Sequence, residues 1–428
     1  MAIPVIARRH CEWDTTYYTA ASNLVSGRPL YYEHDPFVYP PFSALISTPF
    51  VLVPVRLARV LWYFLVLVPS LVYLLKAAWR LSGGGQLFLE TASKIRIHLF
   101  DQKPGAEDFI LWLGCAAALP FVGNALAHVQ TDLLIAALVM VGIGAVVQRR
   151  FFTAAVWFGL AAAFKGPPAL FAVYLLIRRK FLPALLMVGI CLGCNLAPNL
   201  LWRPLNSPLL VREWFDRYVI PLAAPTRTPG SWFADPTDNQ SLSGTASRLF
   251  LTVPVTDRKG FRLERRLNPV STRTLQRIIY GCEAALGITV IAAMGVGRVN
   301  KRHIVPVADR TTIECSLVLL LMLLLPPMSG RAHFAILLLP TFCLARAAIT
   351  GRDRIALTLL VCAIIAAIIS FNAFFVPKML VLWSLWLGVV TLEALLLLIG
   401  LIEISLKTYE AADTTQRHPS FAAVQLGS

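Results

Sequence analysis

Apolar runs close to the ~20 residues needed to cross a bilayer recur along most of this chain, and that recurrence constrains its fold more than any single motif. A segment passing through lipid must satisfy its backbone polar groups internally, as a helix does. The expected helical segments are Arg56 to Trp79, Phe109 to Val122, Asp132 to Val147, Phe152 to Ile177, Leu182 to Leu201, Leu275 to Val296, Ile313 to Leu325, Phe334 to Ile349, Ile355 to Phe375 and Met379 to Ile404. Only 14% of the 428 residues are charged, against about 25% in globular domains, and the mean hydropathy is +0.67. The expectation is an all-α polytopic integral membrane protein with roughly 9–11 transmembrane or re-entrant helices.

The net charge of +16 does not point to nucleic acid. The basic residues sit in short connections between apolar runs, the positive-inside arrangement. Of the eight cysteines, seven lie within apolar segments and only Cys11 has polar neighbours. Cys191 and Cys194 have CxxC spacing inside a hydrophobic run with no second ligand pair, so they read as packing residues, and no metal site is expected. Met1 to Cys11 is too short to span and lacks the apolar core of a signal peptide.

Treating the basic connections as inner fixes the topology. Lys76, Arg80, Lys94, Arg96 and Lys103 form one inner connection, Arg149-Arg150 a second, Arg178-Arg179-Lys180 a third, and Arg298 to Arg310 a fourth. If Tyr39 to Pro54 does not fully cross, Asp14, His128 to Asp132, Lys165, the long polar loop and Arg331 to His333 all emerge on the outer face. The segment 152–177 is interrupted by Lys165-Gly166-Pro167-Pro168 and reads as a hairpin with its tip on that face. The chain then forms one transmembrane domain: a first outer loop with short helices (1–55), amino-terminal helices (56–202), a long outer loop (203–274), carboxy-terminal helices (275–406) and an inner tail (407–428). Arg258 to Arg277 is very basic for an outer segment and is expected to lie against anionic headgroups.

The polar residues gathered on the outer face are the candidate site. Asp14 heads a helix-like run ending at Gly27; a carboxylate there can serve as general base, or simply as a helix cap. Lys165, central in an apolar stretch, is costly to bury and by default a functional candidate, with snorkelling to the headgroups as the alternative. Arg331 and His333 end a short outer turn. His128 and Gln130 precede Asp132, itself read as a helix cap. Asn239, Gln240 and Arg248 stand in and after the polar stretch NQSLSG, where Asn239 also matches a glycosylation sequon. Tyr17, Tyr18, Tyr31 and Tyr32 can stack on the flat face of a bound ligand or form an aromatic belt. No P-loop, HExxH or GxSxG sequence occurs.

Six landmarks in fixed order, WDTTYYTAASNLVSGRPLYY, FVYPPFSALISTP, HVQTDLLIAAL, FGLAAAFKGPPALFAVYLLIRRK, NQSLSG and MSGRAHFAILLLP, give a likeness over about three quarters of the chain. The sequence resembles glycosyltransferase family 87 and the wider GT-C polyprenol-phosphate-mannose-dependent mannosyltransferases. The resemblance implies an enzyme of a bacterial plasma membrane, with its site on the outer face. It would move a hexose, mannose by the likeness, from a polyprenyl-phosphate donor to a lipid or glycan acceptor with inversion, using no cofactor. Membrane lipids are expected partners and nucleic acid is not. Asp14 would match the family's base, and Lys165 a lysine of its short hairpin, binding the donor phosphate with Arg331 or Arg248. The family's helix ahead of the acidic residue is absent, so an upstream apolar segment, or else an inactive truncated member, is expected. The D-x-D of distant relatives is replaced, with Glu12 two residues before Asp14. A transporter or lipid flippase is the alternative class; it would require matched broken helices, and one break is evident.

Overall fold

The structure is a computed structural model that describes residues 11–32, 37–85, 105–202, 209–223, 229–230, 236–251, 255–256, 262–263, 270–295, 310–371 and 376–417. Lys94, Arg96 and Lys103 of the first inner connection, and Arg258, Lys259, Arg265 and Arg266 of the basic loop, lie outside the described residues. So do the residues before Cys11 and after Arg417.

The chain is an all-α polytopic membrane protein. A π-wound turn, Asp14–Tyr18, continues into Thr19–Val25 (together α1). Then come α2 (Pro41–Ser47), extended by the 3-10 turn Thr48–Leu52, and α3 (Val55–Leu81). Next are α4 (Ala106–His128), α5 (Asp132–Val147), α6 (Phe151–Phe164), α7 (Leu170–Ile177) and α8 (Phe181–Leu201). After α9 (Leu210–Trp214) and α10 (Leu242–Phe250) come α11 (Thr272–Ala293), α12 (Arg310–Leu324) and α13 (Arg331–Ile349). The chain closes with α14 (Arg354–Ile369), α15 (Lys378–Leu387) and α16 (Val389–Arg417). Among the described residues, six helices (α3, α4, α8, α11, α13 and the Val389–Lys407 part of α16) are long and apolar enough to cross a membrane. The only strand pairing among the described residues is a two-residue antiparallel ribbon, Val255–Thr256 with Arg262–Leu263.

Helix α4 runs toward His128, α5 departs from Asp132, α6 returns to Lys165, and α7 departs again. These termini therefore gather at one end of the bundle, the site end, while Arg149, Arg150 and Arg178 to Lys180 gather at the other, the basic end. The break between α6 and α7 follows from local chemistry. Lys165 is extended (φ −145°, ψ 135°), and Pro167 and Pro168 lack the amide protons a continuing helix would need. Helices α5 and α6 approach closely because Gly142 leaves room for Phe158, which in turn stacks on Phe171 of α7 at 4.0 Å.

Two ion-pair clamps close the basic end. Arg346 of α13 grips Glu107 of α4 through both carboxylate oxygens (2.8 and 3.0 Å) and lies over Trp79 of α3. Glu314 of α12 receives Arg310 at 3.1 Å, together with Arg178 and the Tyr174 hydroxyl of α7.

The expected single helix from Met379 to Ile404 is in fact two, separated by Gly388 in the left-handed region (φ 76°). The carbonyls freed at the end of α15 are capped from the polar loop. Arg248 donates to Leu385 (3.0 Å) and Trp386 (3.1 Å), and the Gln240 amide donates to Leu385 (2.9 Å). A run of apolar residues hides such a break, because the capping groups come from about 140 residues earlier in the chain.

Candidate functional site

At the site end, three helix termini bring a lysine, an aspartate and a histidine together. Lys165 follows the last turn of α6, Asp132 opens α5, and His333 sits in the 3-10 turn (Arg331–Leu337) that starts α13. The Lys165 ammonium donates to Asp132 Oδ1 (2.9 Å) and Oδ2 (3.0 Å) and to His333 Nε2 (3.1 Å). An ammonium can only donate, so Nε2 accepts and the ring proton lies on Nδ1. His333 Nε2 is 3.6 Å from Asp132 Oδ1. The ammonium also stands 4.9 Å above the ring of Tyr39, which stacks on Tyr17 at 5.0 Å. Asp132 and Lys165 are both only 6% exposed. An unpaired charge at that depth would be prohibitive, and each is the other's counterion.

Glu12 approaches the same cluster from the start of α1. Burial lifts its carboxyl above the ordinary glutamate range, and the Asp132 charge adds to the rise. Lys165, His128 and a hydrogen bond with the Gln130 side chain oppose it. Gln130 is held in place by an unusual helix ending. Val129 closes α4 in the left-handed region (φ 56°), a conformation that strains a β-branched residue. The Gln130 amide proton then reaches back to the Ala125 carbonyl at 2.9 Å.

Beside the cluster lies a cavity of about 530 Å³. Lys165 and His333 reach its wall alongside Tyr39, and most of the remaining surface is apolar, including Val38, Leu170, Val173, Trp214 and Leu325. Trp214 and Tyr218 brace one wall by donating to the Val38 and Phe37 carbonyls (3.0 and 3.3 Å). The arrangement offers a cation and an imidazole to an anion whose attached body is greasy, with a carboxylate of raised pKa alongside. Among the described residues, no three His, Cys, Asp or Glu side chains converge as metal ligands would.

The model of glycosyltransferase family 87 matches residues 37–327, about two thirds of the chain. The chain belongs to glycosyltransferase family 87. No curated protein and no solved structure matches it. The part of this family 87 glycosyltransferase covered by the match includes Tyr39, Asp132, Lys165 and most of the cavity wall, whereas Glu12 and His333 lie outside it.

The glycosyltransferase brings some of the residues singled out from sequence to the site and keeps others away. Lys165 and His333 are at its centre, and His128 and Gln130 stand beside Glu12. Arg331 is next to His333 and pairs with Asp238 at 3.6 Å. Asp14 does not join them. Its carboxylate is held by Arg59 Nε (3.0 Å) and Nη2, by the Cys11 amide (3.1 Å) and by the Cys11 thiol (3.2 Å), all buried. Arg248 and Gln240 cap α15, and Asn239 stitches loop to loop through Gly230, Pro327, Ser241 and Ser329. None of these three lines the cavity. Tyr17 is buried behind Tyr39 with its hydroxyl on Thr131 (2.9 Å), and Tyr18 donates to the Val53 carbonyl (3.1 Å).

Glu12, Asp132 and Tyr39, which are not among the site residues expected from sequence, also stand at the cluster. For Asp132 the signal was present: an aspartate at the mouth of one apolar helix, and a lone lysine between two others that must find a counterion.

Proposed function

We propose that this glycosyltransferase is an inverting enzyme that transfers a hexose, mannose as the first candidate, from a polyprenyl-phosphate donor to a lipid or glycan acceptor on the outer face of the membrane. The observation that carries the reading is the pairing of Lys165 and His333 with a largely apolar cavity, the environment a phosphate bearing an isoprenoid chain requires. Glu12, rather than Asp14, is assigned as the general base, because its carboxylate lies at the cluster and is held to it by Gln130.

The donor phosphate enters beside Lys165 and replaces His333 as acceptor of the third ammonium hydrogen bond, while Asp132 keeps the ammonium in position. Glu12 takes the proton from the acceptor hydroxyl. The oxygen attacks the anomeric carbon from the face opposite the phosphate, and the carbon–oxygen bond to the phosphate breaks. The polyprenyl phosphate leaves with its charge stabilised by Lys165, and His333 stays beside it in the cavity wall. A base with a raised pKa suits proton abstraction near neutrality. Tyr39 supplies a ring against which the sugar can rest.

Purified enzyme in lipid, supplied with labelled polyprenyl-phosphate mannose and candidate acceptors, should form a glycoside of inverted configuration. Product formed only from a nucleotide sugar would refute the donor assignment. Lipid movement without any glycoside would favour the flippase alternative.

A further inference from the structure

The basic end carries a second cavity, of about 630 Å³, between the turn linking α5 to α6 and the turn linking α7 to α8. The two turns have the same construction. Arg149 and Arg179 occupy the left-handed region (φ 61° and 57°), and the amides of Arg150 and Lys180 each reach back 2.8 Å to the carbonyls of Ala145 and Leu175. A phenylalanine then opens each following helix. All four cations line the cavity. The Lys180 ammonium lies 4.4 Å over the Phe151 ring and so links one turn to the other.

These charges differ from their neighbours at the same end. Arg178, Arg310, Arg346 and Lys407 all have carboxylate partners. Arg149, Arg150, Arg179 and Lys180 form no ion pair among the described residues. The first turns of α6 and α8 also line the cavity, and the amide groups of such turns favour anions. Phe152 and Phe181 on its rim are 57% and 63% exposed, giving the cavity an apolar border. Helix α5 alone, 16 residues and ~24 Å long, separates this cavity from Lys165, so it is not part of the transfer site.

We propose that this cavity binds the phosphodiester headgroup of an anionic glycerophospholipid, with the acyl chains running past Phe152 and Phe181. Unpaired cations supply the recognition, and the exposed aromatic rim distinguishes a lipid from a soluble phosphate.

The test is native mass spectrometry of the purified full chain in detergent, with thermal unfolding measured in parallel. Dioleoyl-phosphatidylglycerol, dioleoyl-phosphatidylcholine and inorganic phosphate are the probes. Phosphatidylglycerol should be retained in preference to phosphatidylcholine and should raise the unfolding temperature. The Arg149→Gln/Arg179→Gln/Lys180→Gln variant should bind it about a hundredfold more weakly, at roughly fivefold per charge. Arg80→Gln/Arg352→Gln/Arg354→Gln removes as many exposed charges from the same end and should leave retention unchanged. If the triple variant does not fold, Lys180→Gln alone should show about a fivefold loss. Equal losses in the two triple variants would mean diffuse surface charge and overturn the site. Equal protection by inorganic phosphate would overturn the lipid assignment.

Discussion

Asp14 and Glu12 are two residues apart, and the structure gives them opposite fates that mutation can separate. Asp14 is 5% exposed and Arg59 is 1% exposed. Asp14→Asn keeps the shape and an oxygen for the Cys11 amide, but it removes the charge facing Arg59. Breaking a buried ion pair from one side costs about 3–5 kcal/mol. Arg59 has further interactions of its own, so the lower end, about 3 kcal/mol, is expected. That is a large fraction of the ~5–15 kcal/mol typical of folded domains, and it should appear as reduced folded yield and an unfolding temperature lower by several degrees in detergent. Asp14→Asn/Arg59→Met, which removes the pair together, should recover most of the loss. Turnover per folded molecule should stay near wild type in both. Glu12→Gln should do the reverse, folding normally while kcat falls by about 10²–10⁴ with donor binding retained. A well-folded Asp14→Asn enzyme with that loss of kcat would refute the assignment and restore Asp14 as the base.

Glu12 also predicts a pH dependence. Its carboxyl titrates above the ordinary glutamate range, so the rate should climb as pH rises through that higher value, and Glu12→Asp should keep the limb that Glu12→Gln abolishes. A raised carboxyl pKa favours the folded state at low pH, and that contribution is lost as pH rises through the folded value; Glu12→Gln should therefore be at least as stable as wild type at neutral pH, checked by thermal unfolding. Lys165→Ala should weaken donor use by about ten- to a hundredfold in KM measurements, and because it strands Asp132 it should also lower stability, which Lys165→Met/Asp132→Asn should partly restore. Arg248→Gln should lower the unfolding temperature by uncapping α15 while leaving the donor KM unchanged, since Arg248 does not itself line the cavity.

The membrane architecture was legible because spanning length and charge placement are properties of composition in windows, and tertiary contacts hardly alter them. Lys165 was legible for the same reason, being a charge where lipid solvation forbids one without a purpose. The choice between Glu12 and Asp14 was not. Residues two apart on a helix point about 200° away from each other, and Arg59, 45 residues later, holds Asp14 away from the Lys165 cluster. Asp132 was hidden by an adequate local explanation, since an aspartate at a helix start needs no distant partner. Asn239, Gln240 and Arg248 stand out in the sequence as polar residues near an apolar domain. Their real task arises from the break at Gly388, a position that looks like any small residue inside a long hydrophobic run.

The antiparallel arrangement of α5 and α6 has one further consequence. Asp132 stands at the amino end of α5 and Lys165 at the carboxyl end of α6. The peptide dipoles of α5 put partial positive charge beside the aspartate, and those of α6 put partial negative charge beside the lysine, each interaction contributing about 0.3–1 kcal/mol and up to ~2 where partly buried. The main chain is thus polarised to suit these two side chains in one order only. Exchanging them, as Asp132→Lys/Lys165→Asp, would preserve their mutual attraction yet set each against its own helix. Compensating charge reversal, which rescues many ion pairs, should fail here.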